Sequence, residues 1–236
     1  MSATAMSSQN SAMRREAENN PVGIFGGTFD PVHYGHLRLA EEAADALNLS
    51  AVRWIPNGQP VLRESPSISA RQRLDMVRLA ISGNSRFELD VEEAETRQPS
   101  YTVPTLERLR RPDVYGPRRS LVLLVGADAF ADMAQWHRWE SLFDLAHIAV
   151  AYRPGYDINA EHLTPALADV FRQRFCDDAA RLTDVPAGCI VTFAMTPLDI
   201  SATKIRALLA KGLSPHYLLP ENVIGHILNH RFYLEN

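Results

Sequence analysis

Lysine is nearly absent from this chain. Only Lys204 and Lys211 occur in 236 residues, so any phosphate binding falls on arginine, histidine and backbone N–H groups. Cysteine is equally scarce: Cys176 and Cys189 form no CxxC pair and need no functional role, and a reduced, cytoplasmic setting is expected. No apolar run approaches the length of a membrane span. The net charge of −4 offers no basic surface built for nucleic acid. Neither a membrane nor a nucleic acid is therefore expected as a partner. Two phosphate-binding signatures are missing as well. There is no Gly-x-Gly-x-x-Gly with an acidic residue closing the second strand, which excludes the dinucleotide fingerprint, and no Gly-Lys-Ser/Thr, which excludes a P-loop. A Lys-Met-Ser-Lys-Ser run is also lacking, which argues against a tRNA synthetase.

What is present begins after a polar segment. Residues 1–20 lack the apolar core of a signal peptide and are expected to form a disordered tail, leaving 21–236 as one domain. Then comes Gly23-Ile24-Phe25-Gly26-Gly27-Thr28-Phe29-Asp30-Pro31-Val32-His33-Tyr34-Gly35-His36. A short apolar strand, Val22 to Phe25, runs into a glycine-rich loop and then a helix from about Gly35 to Leu47. Gly26 and Gly27 carry no Cβ, so their N–H groups can approach an anion closely. The helix N-terminus adds partial positive charge, and His33 and His36 add donors at the same spot. The segment reads as a phosphate site. Two other readings of the histidines stay open, as exposed loop residues or as zinc ligands. A zinc site needs further ligands, and none sits nearby at ligand spacing. Asp30-Pro31 also reads as an ordinary turn pair.

Apolar runs alternate with helical patterns, which predicts parallel βαβ units. The expected fold is a Rossmann-like, doubly wound α/β domain with helices on both faces. Strands are predicted at Val22–Phe25, Val52–Ile55, Phe87–Asp90, Leu121–Val125, Ile148–Tyr152 and Ile190–Phe193. Helices are predicted to start near Gly35, Ser69, Thr102, Ala127, Ser141, Glu161, Ser201 and Pro220. Residues 60–67 and 154–159 read as loops. In such a sheet, ligands bind beyond the carboxyl ends of the strands. Those ends carry Gly26-Gly27, Pro56-Asn57-Gly58, Gly126-Ala127-Asp128, Tyr152-Arg153-Pro154 and, beyond Thr196-Pro197, Ile200-Ser201-Ala202-Thr203-Lys204-Ile205-Arg206. Every unusual cluster falls on the predicted binding edge.

The last of these reads as a second helix start. Ser201 suits an N-cap, and Ile205, Leu208 and Leu209 form an apolar stripe. Arg206 lies within about a turn and a half of the positive end. An ordinary capped helix with surface cations is the plainer alternative.

The string Gly-Gly-Thr-Phe-Asp-Pro-x-His-x-Gly-His and the late Ile-Ser-x-Thr-x-Ile-Arg resemble the nucleotidylyltransferase superfamily. With Pro99-Ser100-Tyr101-Thr102, Gly126-Ala127-Asp128, Trp136-His137-Arg138-Trp139 and Tyr152-Arg153-Pro154-Gly155, the chain resembles the bacterial nicotinate-nucleotide adenylyltransferases from about Val22 onward. The resemblance implies transfer of AMP from ATP to nicotinate mononucleotide, giving deamido-NAD and pyrophosphate. It implies that His33, His36 and Arg206 hold the triphosphate, helped by Ser201. Gly26, Gly27, Thr28, Phe29, Gly126, Ile200 and Thr203 complete the ATP side, with Asp128 at the ribose. Ser100, Tyr101, Thr102, Trp136 and Arg153 are implied around the nicotinate nucleotide. One departure stands out. The family often carries Pro-Pro-His-Lys/Arg after the second strand, whereas Gln59-Pro60-Val61-Leu62-Arg63-Glu64 stands here, with Arg63 as the nearest cation. Mg²⁺ is expected to arrive on the ATP phosphates, with no protein side chain ligating it. Oligomeric state is left open, a homo-oligomer included. The plainer roles are a helix cap for Asp128 and, for Trp136, a core or surface-anchoring ring. Other nucleotidylyltransferases, and a nucleotide-binding regulator without turnover, are the alternatives.

Overall fold

The computed structural model describes residues 20–61, 65–96, 98–153, 155 and 163–234. Six strands form one parallel sheet. They are Val22–Gly27 (β1), Ala51–Pro56 (β2), Phe87–Leu89 (β4), Leu121–Gly126 (β6), His147–Tyr152 (β7) and Ile190–Ala194 (β8), in the spatial order β4-β2-β1-β6-β7-β8. The order reverses direction between β1 and β6, which is where a doubly wound sheet opens a crevice for its ligand. Two further strands of two residues each, Gln59–Pro60 (β3) and Pro99–Ser100 (β5), pair in parallel beside this edge. Pro60 was expected in a loop; it is paired instead, because the segment after β2 leans on the segment before Tyr101.

The helices are Tyr34–Ala46 (α1), Ala70–Ile81 (α2), Glu92–Glu95 (α3), Thr102–Leu109 (α4), Ala127–Ala131 (α5), Leu142–Leu145 (α6), Pro165–Arg174 (α7), Ala202–Ala210 (α8) and Glu221–His230 (α9). The short α3 was not foreseen. The helix expected near Ser141 begins as a 3₁₀ turn, Trp139–Ser141, before α6. The predicted start at Glu161, Arg63 and most of 154–159 lie outside the described residues; α7 starts behind Thr164, which accepts the Leu167 N–H. At the front of the domain, the Asn20 and Pro21 carbonyls both accept from the Ser50 hydroxyl.

Leu121 to Val125 are all buried. Leu121, Leu123 and Val125 point into a core shared with α4, α5, α6 and α7, while Val122 and Leu124 point into one shared with α1, α2, α8 and α9. A parallel strand covered on both faces is apolar throughout for this reason. The second core holds an aromatic cluster. Trp54 of β2 is fully buried, with ring centroids 4.9 Å from Phe25, 5.3 Å from Phe29 and 5.4 Å from Phe87. Phe29 has φ 50°, a left-handed conformation that a bulky residue rarely adopts. Its ring lies against Phe25, Trp54 and His36, so core packing holds the strained turn of the loop. Trp54→Ala is expected to lower the unfolding free energy by about 3–5 kcal/mol, read by urea titration. A loss below about 1 kcal/mol would mean that the ring is not part of the cooperative core.

Candidate active site

Strand β1 ends in Gly26-Gly27, beside the end of β2 on one side and with β6 on the other. Gly27 pairs with Pro56, and its carbonyl accepts the Asn57 N–H at 3.0 Å. The two glycines differ in surroundings. A Cβ on Gly27 would sit 2.9 Å from the Phe29 ring, so only glycine lets that ring fold underneath. A Cβ on Gly26 would meet nothing closer than the Ile55 carbonyl at 4.0 Å, and one on Gly126 nothing within 4 Å. Gly26 is exposed although its strand lies in the middle of the sheet. The backbone at the switch point is therefore open to an incoming group from both β1 and β6.

The first loop closes into α1 through His33, which is buried and stands at the N-cap with extended backbone. Its N–H donates to His36 Nδ1 at 3.3 Å, and the two imidazoles stack with centroids 3.7 Å apart. A ring that accepts at Nδ1 carries its proton on Nε2 when neutral, which makes His36 a donor there. Burial pushes the His33 imidazole down to about 4, so it is neutral near pH 7. Its Nδ1 is buried without a protein partner.

Gly35 shows how the two ends of the chain meet. A Cβ there would lie 3.0 Å from the His33 ring and 3.6 Å from the Ile200 carbonyl. The start of α1 thus abuts the segment leading into α8. Ser201 caps α8 and accepts the Lys204 N–H at 3.2 Å. Ile205 and Leu209 are buried below it, while Leu208 is only half-buried. Thr203 is exposed on the first turn. Arg206 Nη1 donates to the Asp30 carbonyl at 2.7 Å, and Nη2 reaches Thr203 Oγ1 at 3.5 Å. Part of the guanidinium fork is thus used on the protein, which ties α8 to the first loop. Two apolar grooves flank this junction, one beyond Tyr34 and one along the outer side of α8. Gly26, Gly27, Gly126, His33 and His36 lie in neither.

On the other side of the edge, the Gly58 N–H donates to Ser100 Oγ at 2.9 Å. A Cβ on Gly58 would come within 2.2 Å of the Glu93 carbonyl, so that turn admits no side chain. Glu93 is held by the hydroxyl of Thr105, and burial pushes its carboxyl up against the opposing pull of the Thr105 and Ser100 hydroxyls. Tyr101 is the N-cap of α4 with no side-chain cap, and Thr102 opens the helix. The Tyr101 ring lies 4.7 Å from that of His137, which brings the Tyr101-Thr102 segment to the Trp136-His137-Arg138 turn. Arg138 there has φ 54° and bonds Glu107 of α4. Trp136 is half-buried against the core beneath. Asp128 is exposed on the first turn of α5, above the open face of Gly126. Arg153 is exposed at the end of β7; Lys204 first, and Arg153 with it, hold the exposed Asp199 carboxyl, just ahead of α8, below its usual range. Three residues at this edge escaped the sequence reading as site elements, Arg73, Tyr233 and Ser67, while His137 was read only as part of the Trp136-His137-Arg138-Trp139 segment. Arg73 left a legible trace, a cation on the same helical row as the buried Val77 and Ile81.

Among the described residues, no three or more His, Cys, Asp or Glu side chains gather as a metal cage, and no helix is long and apolar enough to cross a membrane.

The chain is similar to known proteins. Residues 24–208 match the cytidylyltransferase-like family. A protein of Dechloromonas aromatica named "probable nicotinate-nucleotide adenylyltransferase" is 58% identical over 91% of this chain and 98% of its own length. One of the same name from Hydrogenovibrio crunogenus is 44% identical over 91% and 98%. The fold is similar to that of Plasmodium falciparum nicotinic acid mononucleotide adenylyltransferase complexed with NaAD, with a TM-score of 0.65 at 16% identity over 91% of this chain and 97% of that one. On identity and coverage of this extent, the chain belongs to the nicotinate-nucleotide adenylyltransferases within the cytidylyltransferase-like family.

Proposed function

We propose that this protein transfers the adenylyl group of ATP to nicotinate mononucleotide, giving nicotinate adenine dinucleotide and pyrophosphate. The observation that carries the reading is the junction at Gly35. There the His33–His36 start of α1 meets the Ile200–Ser201 start of α8, beside the open backbone of Gly26 and Gly126. Two helix N-termini and their side chains suit a polyphosphate.

A phosphate oxygen of the mononucleotide attacks the α-phosphorus of ATP. The bond to the bridging oxygen breaks and pyrophosphate leaves with its electron pair. The nucleophile is already ionised near neutral pH, so no general base is required. Catalysis is positioning together with neutralisation of charge on the α-phosphate and the departing pyrophosphate. We assign His36, the neutral His33 and the N–H groups of Gly26 to Phe29 to the triphosphate, with Arg206, Ser201, Thr203 and Ile200 on its far side. Asp128 and Gly126 take the ribose side. Ser100, Tyr101, Thr102 and Trp136 take the nicotinate nucleotide, with Arg153 at the margin between the two substrates. Mg²⁺ enters as part of the ATP substrate and supplies charge neutralisation on its phosphates. The buried, unpaired Cys176 and Cys189 suit the reduced, cytoplasmic setting included in this proposal.

Acceptor choice follows from α4. Its first turn has no side-chain cap, a helix start leaves its first N–H groups, here those of Thr102 and Val103 ahead of Pro104, without intrahelical partners, and such an end prefers an anion. Nicotinate presents a carboxylate where nicotinamide presents an amide, whose NH₂ would leave buried donors unpaired at about 1–3 kcal/mol each. Incubation with ATP, Mg²⁺ and nicotinate mononucleotide should release pyrophosphate, with kcat/KM at least about 10²-fold above that for nicotinamide mononucleotide. Comparable efficiencies would reject the carboxylate placement, and no pyrophosphate with either acceptor would reject the reaction.

His36→Ala should lower kcat by about 10²-fold with unchanged melting, the scale of losing one transition-state donor. Steady-state kinetics on the folded variant decides this; near-normal turnover would remove His36 from the machinery.

A further inference from the structure

Arg73 is a charged side chain buried to 1% exposure in the core of α2, and its position is not that of a surface cation. Its Nη1 donates to the Thr28 carbonyl at 2.7 Å and to Asn57 Oδ1 at 3.1 Å, while Nη2 donates to the Gly58 carbonyl at 2.9 Å. Its Nε is buried without a partner. No carboxylate among the described residues pairs with it within 4.0 Å. Asp30 acts on it from farther away and is itself engaged by Ser67, Tyr233 and Arg206.

These contacts fall on two separate loops. Thr28 follows Gly26-Gly27 in the loop assigned to ATP. Asn57 and Gly58 form the turn after β2, and Gly58 leans by its N–H on Ser100, on the acceptor side. Asn57 adds two cross-ties, its N–H to the Gly27 carbonyl and its amide to Thr28 Oγ1 at 3.4 Å. A carbonyl turned inward to a buried guanidinium fixes the peptide planes on either side of it. A buried cation compensated mainly by neutral acceptors also favours an anion nearby.

We propose that Arg73 is a positioning residue that sets the ATP loop and the acceptor-side turn relative to each other from one side chain behind both. The proposal rests on the reaction given above. It touches neither substrate. A fork of donors is needed, because a lysine ammonium placed on one carbonyl would release the other loop.

The test uses the full-length protein with Arg73→Lys, Arg73→Gln and, as the one-sided comparison, Ser100→Ala. Melting temperature, kcat and the KM for each substrate are measured, with calorimetric binding of a non-hydrolysable ATP analogue and of nicotinate mononucleotide separately. Backbone hydrogen exchange is followed at residues 27–30 and 57–58. Arg73→Lys should stay folded, lose kcat by at least about tenfold and weaken both nucleotides, with faster exchange in both loops together. Ser100→Ala should weaken the mononucleotide alone. An Arg73→Lys protein that matches the parent, or that weakens one nucleotide only, would overturn the proposal. So would failure of both Arg73 variants to fold, which would make the side chain simply part of the core. Should the parent protein form no product, the reaction falls, while binding of the ATP analogue and the paired exchange readout still decide the role of Arg73.

Discussion

A single buried carboxylate closes the site into one piece. Asp30 is 5% exposed, and its two oxygens accept from the Tyr233 hydroxyl at 2.6 Å and the Ser67 N–H at 3.0 Å. Its own backbone carbonyl accepts Arg206 Nη1. Four distant stretches of chain meet there: the first loop, the approach to α2, the start of α8 and the segment after α9. Burying a carboxylate is costly unless its lone pairs are satisfied, and here a hydroxyl and an amide N–H bond it while the Arg206 guanidinium, 3.9 Å away, adds an opposite charge. The same burial, and then the carboxylate itself, pushes the Tyr233 phenol far above its usual range, so the tyrosine remains a donor at any ordinary pH. The loop after β1 is thus held from outside through Asp30, by Ser67, Tyr233 and Arg206, and from beneath by Arg73.

That restraint explains how a chain with a net charge of −4 and two lysines could serve the anion site proposed here. Positive potential is supplied locally, by helix starts and by arginines whose forks are partly engaged on carbonyls. Such donors have little freedom left to lose when a ligand arrives, which is the condition for preorganised electrostatic stabilisation. The buried His33 fits the same logic. Kept neutral by its surroundings, it does not change charge across the physiological range.

Much of this was legible in the amino-acid order, and the reasons are specific. The strands were visible because a parallel strand covered on both faces is continuously apolar, as Leu121 to Val125 are. The cap Ser201 was visible because a serine side chain can accept from the turn that follows, here the Lys204 N–H, and the helix start near Ser69 was placed although its cap was not named. The Gly-Gly loop and the two helix starts fell on one sheet edge because connectivity in a doubly wound fold leaves them nowhere else. What escaped was long-range. The pairing of Gln59–Pro60 with Pro99–Ser100 carries no periodic signal in two residues. Tyr233 gave no hint of Asp30, 203 residues away. Asp30 itself read as half of a turn dipeptide, since a local pattern does not reveal that a turn is buried.

The chemistry gives these hidden residues their importance. A reaction whose nucleophile arrives already ionised asks little of any one catalytic group and much of relative placement. The barrier then depends on how well the α-phosphorus and the attacking oxygen are held in line, and an error of about 1 Å costs on the order of 10²-fold. The loops after the neighbouring strands β1 and β2 share a sheet up to the pairing of Gly27 with Pro56 and diverge beyond it. Beyond that point the sheet no longer fixes their separation. The ties that do are side chains and backbone bonds: Asn57 to Gly27 and Thr28, Gly58 to Ser100, and the guanidinium of Arg73 under both. Reactivity at such an edge is set by what lies behind the loops as much as by what faces the ligand.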